Sequence, residues 1–133
     1  MLNKRAVSTD EGSAKEEPDL FRAARQNDLA EMEAALNSGK CFTTLDPHTL
    51  MTPIHIAAIF GSLDYIVAAI ETGTPEVHWA VCHFDKAGNS PFEHALARRD
   101  FQTMAHLHNC RYPEAAVEVP ATQFGPLLDA DVT

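Results

Sequence analysis

The chain has 133 residues, with ten Lys and Arg against nineteen Asp and Glu and a formal charge of −9. This length suits one domain. The acidic balance argues against a nucleic-acid partner, because phosphate binding needs a positive stripe and the basic residues here are scattered, with Arg98-Arg99 their only local concentration. No apolar run approaches the ~18 residues of a membrane span, so no membrane contact is expected.

Residues 1–17 are polar, mixed in charge and contain Gly12-Ser13, and they read as a disordered leader. Lys4 and Arg5 are not followed by an apolar stretch, so a secretory signal is not expected. Cys41, Cys82 and Cys110 are odd in number and widely spaced. They suggest reduced thiols in an intracellular, cytoplasmic setting rather than a disulfide framework.

The spacing predicts a first pair of helices over Asp19 to Gln26 and Leu29 to Asn37, with Asn27 or Asp28 capping the second. A loop from Gly39 to Met51 follows and contains the turn-prone Asp46-Pro47. Thr52 then caps a helix with Pro53 in its first position, where a missing N–H costs nothing. Ile54, Ala57 and Ala58 share one face. Gly61 breaks the run, and Ser62 is placed to cap a further helix with Leu63, Ile66, Val67 and Ile70 inward and Gly73 at its end. In the segment from Thr72 to Asn89, the run from Val77 to Phe84 shows weak alternation and β-forming residues. It is expected to form either an elongated hairpin or an extra helical turn, and it carries the only Trp, Trp79.

A third pair is expected over Pro91 to Ala97 and Phe101 to Asn109, with Asp100 as a cap. Residues 112–133 form an acidic tail with Pro113, Pro120 and Pro126, which exclude a long helix. Val117, Val119, Phe124, Leu127 and Leu128 leave two fates open for it: folding back over the third pair, or serving as a partner-binding tail.

The helix pairs recur. Ser90-Pro91-Phe92-Glu93-His94-Ala95 lies 38 residues after the start of the Thr52 segment, and Pro18-Asp19-Leu20-Phe21-Arg22-Ala23-Ala24 lies 34 before it. Such spacing indicates a solenoid of stacked repeats. The segment Thr52-Pro53-Ile54-His55-x-Ala57-Ala58-x-x-Gly61 is similar to the ankyrin repeat signature, and Asp85-x-x-Gly88-x-Ser90-Pro91 resembles the turn before such a repeat. The resemblance implies an all-α helical solenoid of about three helix-turn-helix repeats (18–50, 51–84 and 85–111), joined by loops or short hairpins. Glu93 stands where the family has His, Arg99 where it has Gly, and His108 at an apolar position, which suits a C-terminal cap. In that family about seven residues separate the closing Gly from the next Asp, so the twelve from Gly73 to Asp85 make an insertion. The family's His, here His55, is implied to act within the turn rather than in chemistry.

What the resemblance implies for function is mediation of protein–protein contacts, as a stand-alone adaptor, inhibitor or effector. Outward positions of the first helices supply the candidate partner-binding residues Arg25, Gln26, Ile59, Phe60 and Arg98. Loop tips add His48, Leu50, Lys86 and Asn89, and the insertion adds Trp79 and Phe84. Trp79 has a second reading, as a plug that packs the insertion. Self-association into a homo-oligomer is the alternative function. No phosphate loop, nucleophile elbow or His-Glu-x-x-His is present, so neither catalysis nor a cofactor is expected. His106, His108 and Cys110, with Cys82-His83, lack zinc-site spacing, and His108 leaves the helix face shared by the other two, so no metal is expected.

Overall fold

Polar caps and left-handed turns divide this chain into short helices. The computed structural model describes residues 17–120. The leader over 1–16 and the tail beyond Pro120, with Phe124, Leu127 and Leu128, lie outside the described residues. Those described are all-helical: α1 (Leu20–Gln26), α2 (Leu29–Asn37), α3 (Pro53–Phe60), α4 (Leu63–Glu71), α5 (Pro75–Cys82), α6 (Pro91–Arg98) and α7 (Phe101–Arg111). No strand occurs among them.

The helix starts follow from side-chain chemistry. The carboxylates of Asp19, Asp28 and Asp100 accept from the N–H groups of Phe21, Glu31 and Thr103 at the starts of α1, α2 and α7. At α3 the Thr52 hydroxyl accepts from the His55 N–H while the His55 ring accepts from the Thr52 N–H. At α6 the Glu93 carboxylate takes the ring's part, accepting from the Ser90 N–H and hydroxyl. Ser62 departs from expectation. It occupies the cap position of α4 but makes no side-chain cap bond; its hydroxyl donates to the Ala24 carbonyl of the preceding pair.

α1–α2, α3–α4 and α6–α7 are joined by the same turn. Asn27, Gly61 and Arg99 are all left-handed, with φ of 55°, 70° and 59°. The next N–H then closes each turn: Asp28 to Ala23 O at 3.0 Å, Ser62 to Ala57 O at 2.8 Å and Asp100 to Ala95 O at 3.0 Å. The pairs lie side by side, α3 between α1 and α6, and α4 against α2 and α7. Alanine makes this close approach feasible: Ala23, Ala24, Ala57, Ala58 and Ala95 are fully buried. Tyr65 locks the first two pairs. Its N–H donates to Asn27 Oδ1 at 2.9 Å, its hydroxyl donates to Leu20 O at 2.9 Å, and its ring meets Phe42 edge-on.

Of the two alternatives the segment takes the helical one, and more of it than one turn, as the two-turn helix α5. Pro75 starts it at the first helical position. Val77, Ala80 and Val81, spaced i, i+3 and i+4, are its buried residues. The alternation seen in the sequence came from Val77, Trp79 and Val81, of which Trp79 points outward. α5 packs between the second and third pairs against α3 and α7, and α7, at eleven residues, outlasts the nine-residue α2 and α4.

Beyond α7 the chain turns through a short 3₁₀ segment, Pro113–Ala115, and runs back along α7. Asn109 exchanges two hydrogen bonds with the Val117 backbone, at 2.7 and 2.9 Å, and Gln102 Nε2 donates to Pro120 O at 3.0 Å. Residues 112–120 thus fold back on the third pair. No helix among the described residues is long and apolar enough to cross a membrane.

If the alanine contacts set the spacing of the row, enlarging one must cost stability. Ala58→Leu is expected to lower the unfolding free energy by about 1–3 kcal/mol, read from the urea midpoint with an unchanged slope.

Candidate functional site

The helix row has two ends, and each carries candidate residues. α3 spans about 12 Å between them. At its start lie the loops and α5; at its finish lie the left-handed turns.

The loop end is built on two aspartates. Asp46 Oδ1 accepts from the N–H groups of His48 and Thr49, and Asp85 Oδ1 from those of Ala87 and Asn89. The His48 N–H bond leads the effects that hold the Asp46 carboxyl below its ordinary range. Burial works to raise Asp85, but the Asn89 N–H and the His94 ring outweigh it and leave the group lowered. His94 Nε2 donates to Asp85 Oδ2 at 2.8 Å. The Lys86 N–H donates to Thr49 O at 2.8 Å, which joins one loop to the next.

His55 fastens α3 to the second loop. Its Nδ1 accepts from the Thr52 N–H, so the proton sits on Nε2, which donates to Asn89 O at 3.0 Å. The side chain is fully buried, and that burial leads the effects that push its pKa down to about 4. The rings of His83 and His94 meet it at 6.0 and 5.8 Å. Both nitrogens of His55 are therefore occupied by structural bonds.

Three large apolar side chains stay exposed around this frame. Trp79 stacks on His83 at 4.5 Å, and His83 Nε2 donates to Leu50 O at 3.1 Å. Leu50 is held left-handed, with φ of 60°, at a cost of about 1–2 kcal/mol for a side chain of this kind. Leu50, Trp79 and Phe84 remain 39%, 44% and 52% exposed. His48 and Lys86 are exposed at the loop tips; Asn89 is half-buried, its backbone committed to Asp85 and His55.

The turn end gathers the other candidates. Arg25 and Gln26 are exposed at the finish of α1, Phe60 at that of α3 and Arg98 at that of α6, while Ile59 is half-buried. Arg98 Nη1 donates to Ile59 O at 3.4 Å, and its guanidinium lies over Gly61, a placement that suits a cation at a helix C-terminus. The eleven candidates thus form two groups rather than one surface.

Two contributors escaped the sequence reading. His83 supports Trp79 through a stack that no local pattern announces. Leu96 is 49% exposed and occupies the position held in α1 and α3 by the buried Ala24 and Ala58. The larger residue at that position was the available signal. The three cysteines are free thiols. Burial raises Cys110, with Cys82 near enough to add to the effect. No group of three or more His, Cys, Asp or Glu suited to hold a metal ion occurs among the described residues. No family model matches the chain, and no curated protein matches it significantly.

The His55 frame makes stability sensitive to acid. Its folded pKa is about 4, below the ordinary 6.5, so the unfolded chain binds the proton first. Its contribution is present above pH 6.5 and is lost as pH falls toward about 4; His106, also lowered mainly by burial, acts with the same sign. Between pH 6.5 and about 5 the His55 share is roughly 2 kcal/mol. Urea unfolding across this range should show the loss, and His55→Gln should flatten it.

Proposed function

We propose that this chain is a small ankyrin-type repeat protein that works by binding another protein. The reading is supported by three helix pairs joined by one kind of turn, by close stacking through alanines, and by the Thr-Pro-Ile-His opening of α3. In such a solenoid the aligned loop tips form a docking edge, here the end of the row at the start of α3. The chain acts there as an adaptor, inhibitor or effector of the cytoplasm, by occlusion rather than catalysis. The titratable groups that come together at the loop end, His55, His94 and Asp85, are engaged in bonds that hold the loops.

The observation that carries this reading is the exposure of Leu50, Trp79 and Phe84 at the loop end. These are large apolar side chains kept partly in water, with Trp79 held by its stack on His83 and the Leu50 backbone by a hydrogen bond from the same ring. Exposed apolar groups placed together mark contact surfaces, and aromatics dominate the energetics of such contacts. Prior fixing of the loops reduces the entropy lost on binding. The acidic surface favours approach by a basic partner.

Affinity capture from the source cells tests the reading. Trp79→Ala is expected to weaken the captured partner by about 30-fold, as a hot-spot loss of ~2 kcal/mol implies. Glu33→Ala, at an exposed position on α2, should leave capture unchanged, with helical circular dichroism retained by both variants. Equal recovery by wild type and Trp79→Ala removes the patch as the contact; recovery of only the chain itself favours self-association.

A further inference from the structure

The second helices of the pairs enclose a channel that the loop end does not use. Between α2 and α4 a cavity of about 390 Å³ has Leu29, Met32 and Leu36 on one wall and Ala68 and Thr72 on the other. A second, of about 350 Å³, shares Leu36 and Thr72 with the first and continues past the finish of α4 to Phe42 and Glu76. The cause is the size of the α4 side chains. Ala68 and Thr72, one turn apart, are short where α2 presents leucine and methionine, and α2 and α4 meet less closely than α1 and α3. Leu29 is left 40% exposed beside the channel.

The charge around this channel is mostly negative. α2, α4 and α5 carry no Lys or Arg. Glu33, Glu71 and Glu76 are exposed and enter no ion pair among the described residues. The cations at its edges are already engaged: Arg22 bridges to Glu31, and Lys40 Nζ donates to Glu17 Oε1 at 3.3 Å and to Pro18 O at 3.0 Å. On α7, His106 lies near Glu71, and burial holds its pKa below the ordinary value, so the ring is neutral at pH 7. Counted whole, the face sets Glu17, Glu31, Glu33, Asp64, Glu71 and Glu76 against Arg22 and Lys40.

These features narrow the occupant. Walls this apolar offer an extended backbone few partners for its N–H and C=O groups, whereas a helix satisfies its own. Leu29 and Leu36 lie two turns apart on α2, about 10 Å. A helix laid along them seats side chains at i, i+3 or i+4, and i+7. Carboxylates at the rim call for Lys or Arg on its flanks. A second copy of this chain would bring the same carboxylates to the same face, so like charges oppose self-association there.

We propose that the channel between α2 and α4 is a second docking site, for an amphipathic helix of another protein with Lys or Arg beside its apolar stripe. The apolar side chains enter over Ala68, between Leu29, Met32 and Leu36, and the cations meet Glu33 and Glu71. The site needs neither Trp79 nor the loop tips, so one chain can hold two proteins at once, as an adaptor must.

Peptide display on the immobilised full chain tests this, with a library of helix-forming sequences of ~14 residues, about four turns. Enriched sequences are expected to carry Lys or Arg beside apolar residues at i, i+3 or i+4, and i+7. A synthetic copy of the most enriched one is followed by fluorescence anisotropy. Its affinity should fall roughly tenfold or more with Ala68→Phe, which fills the channel, and with Glu33→Lys/Glu71→Lys, which reverses the rim. High salt should weaken it too. Circular dichroism checks both variants; the charge pair is at exposed positions and keeps the test decisive if Ala68→Phe does not fold. Trp79→Ala should leave the peptide's affinity unchanged. The proposal is overturned by selection without this pattern, by binding that neither channel variant weakens, or by binding lost with Trp79→Ala. A dimer in sedimentation that Glu33→Lys/Glu71→Lys abolishes gives the face to a second copy and overturns it as well. Capture through Trp79 should ignore the channel variants as it ignores Glu33→Ala, so the two readings fail separately.

Discussion

The close approach of α1, α3 and α6 is the constraint on which the other features depend. Helices this short have little stability alone; a nine-residue helix is below the length at which isolated helices persist in water. Their apolar faces must be covered by neighbours, and the cover must be near. Alanine at the contacting positions permits it, while Leu20, Ile54, Ile66 and Leu107 supply most of the larger buried aliphatic bulk. The same closeness places Ser62 within reach of the Ala24 carbonyl and the Tyr65 hydroxyl within reach of Leu20. Polar groups that would otherwise need water are thereby satisfied across the pair boundary.

Stacking at this spacing decides what the surface can be. Each pair repeats its left-handed turn, so chemically unrelated side chains are brought into rows. The loop row is further tied by His55 to Asn89 and by Lys86 to Thr49. It is stiff enough to hold Leu50 in a backbone region that a leucine seldom occupies. Strain of this kind persists only where the surroundings over-determine it, and such positions collect at sites of contact. The turn row is tied as well, by Ser62 to the Ala24 carbonyl, by the Tyr65 N–H to Asn27 and by Arg98 over Gly61.

Much of the helical layout was legible because the signals were local and redundant. Thr52-Pro53, Ser90-Pro91 and the capping aspartates mark starts, and Gly61 marks a turn that Asn27 and Arg99 repeat without glycine. The shared face of Ile54, Ala57 and Ala58 indicated the inward side of α3. What was not legible is non-local. Across Val77 to Val81 the periods of strand and helix share residues, and only packing against α3 and α7 chooses between them. Ser62 has the chemistry of a cap, yet a carbonyl in the preceding pair claims its hydroxyl. The division of the candidate surface into two ends likewise depends on the direction of α3, which no single motif expresses.

α5 changes the relation between the second and third pairs, and with it the character of the loop end. A plain loop of the same length would carry backbone groups that need partners and side chains with little support. A helix satisfies its own backbone and commits one stripe, Val77, Ala80 and Val81, to the core. The opposite stripe is then free of structural duty but fixed in direction, and Trp79 lies on it. His83, just past the last turn, holds the indole by stacking and reports to Leu50 by a hydrogen bond. The segment between the second and third pairs has in this way become a helix that holds Trp79 outward, as a loop of the same length would not.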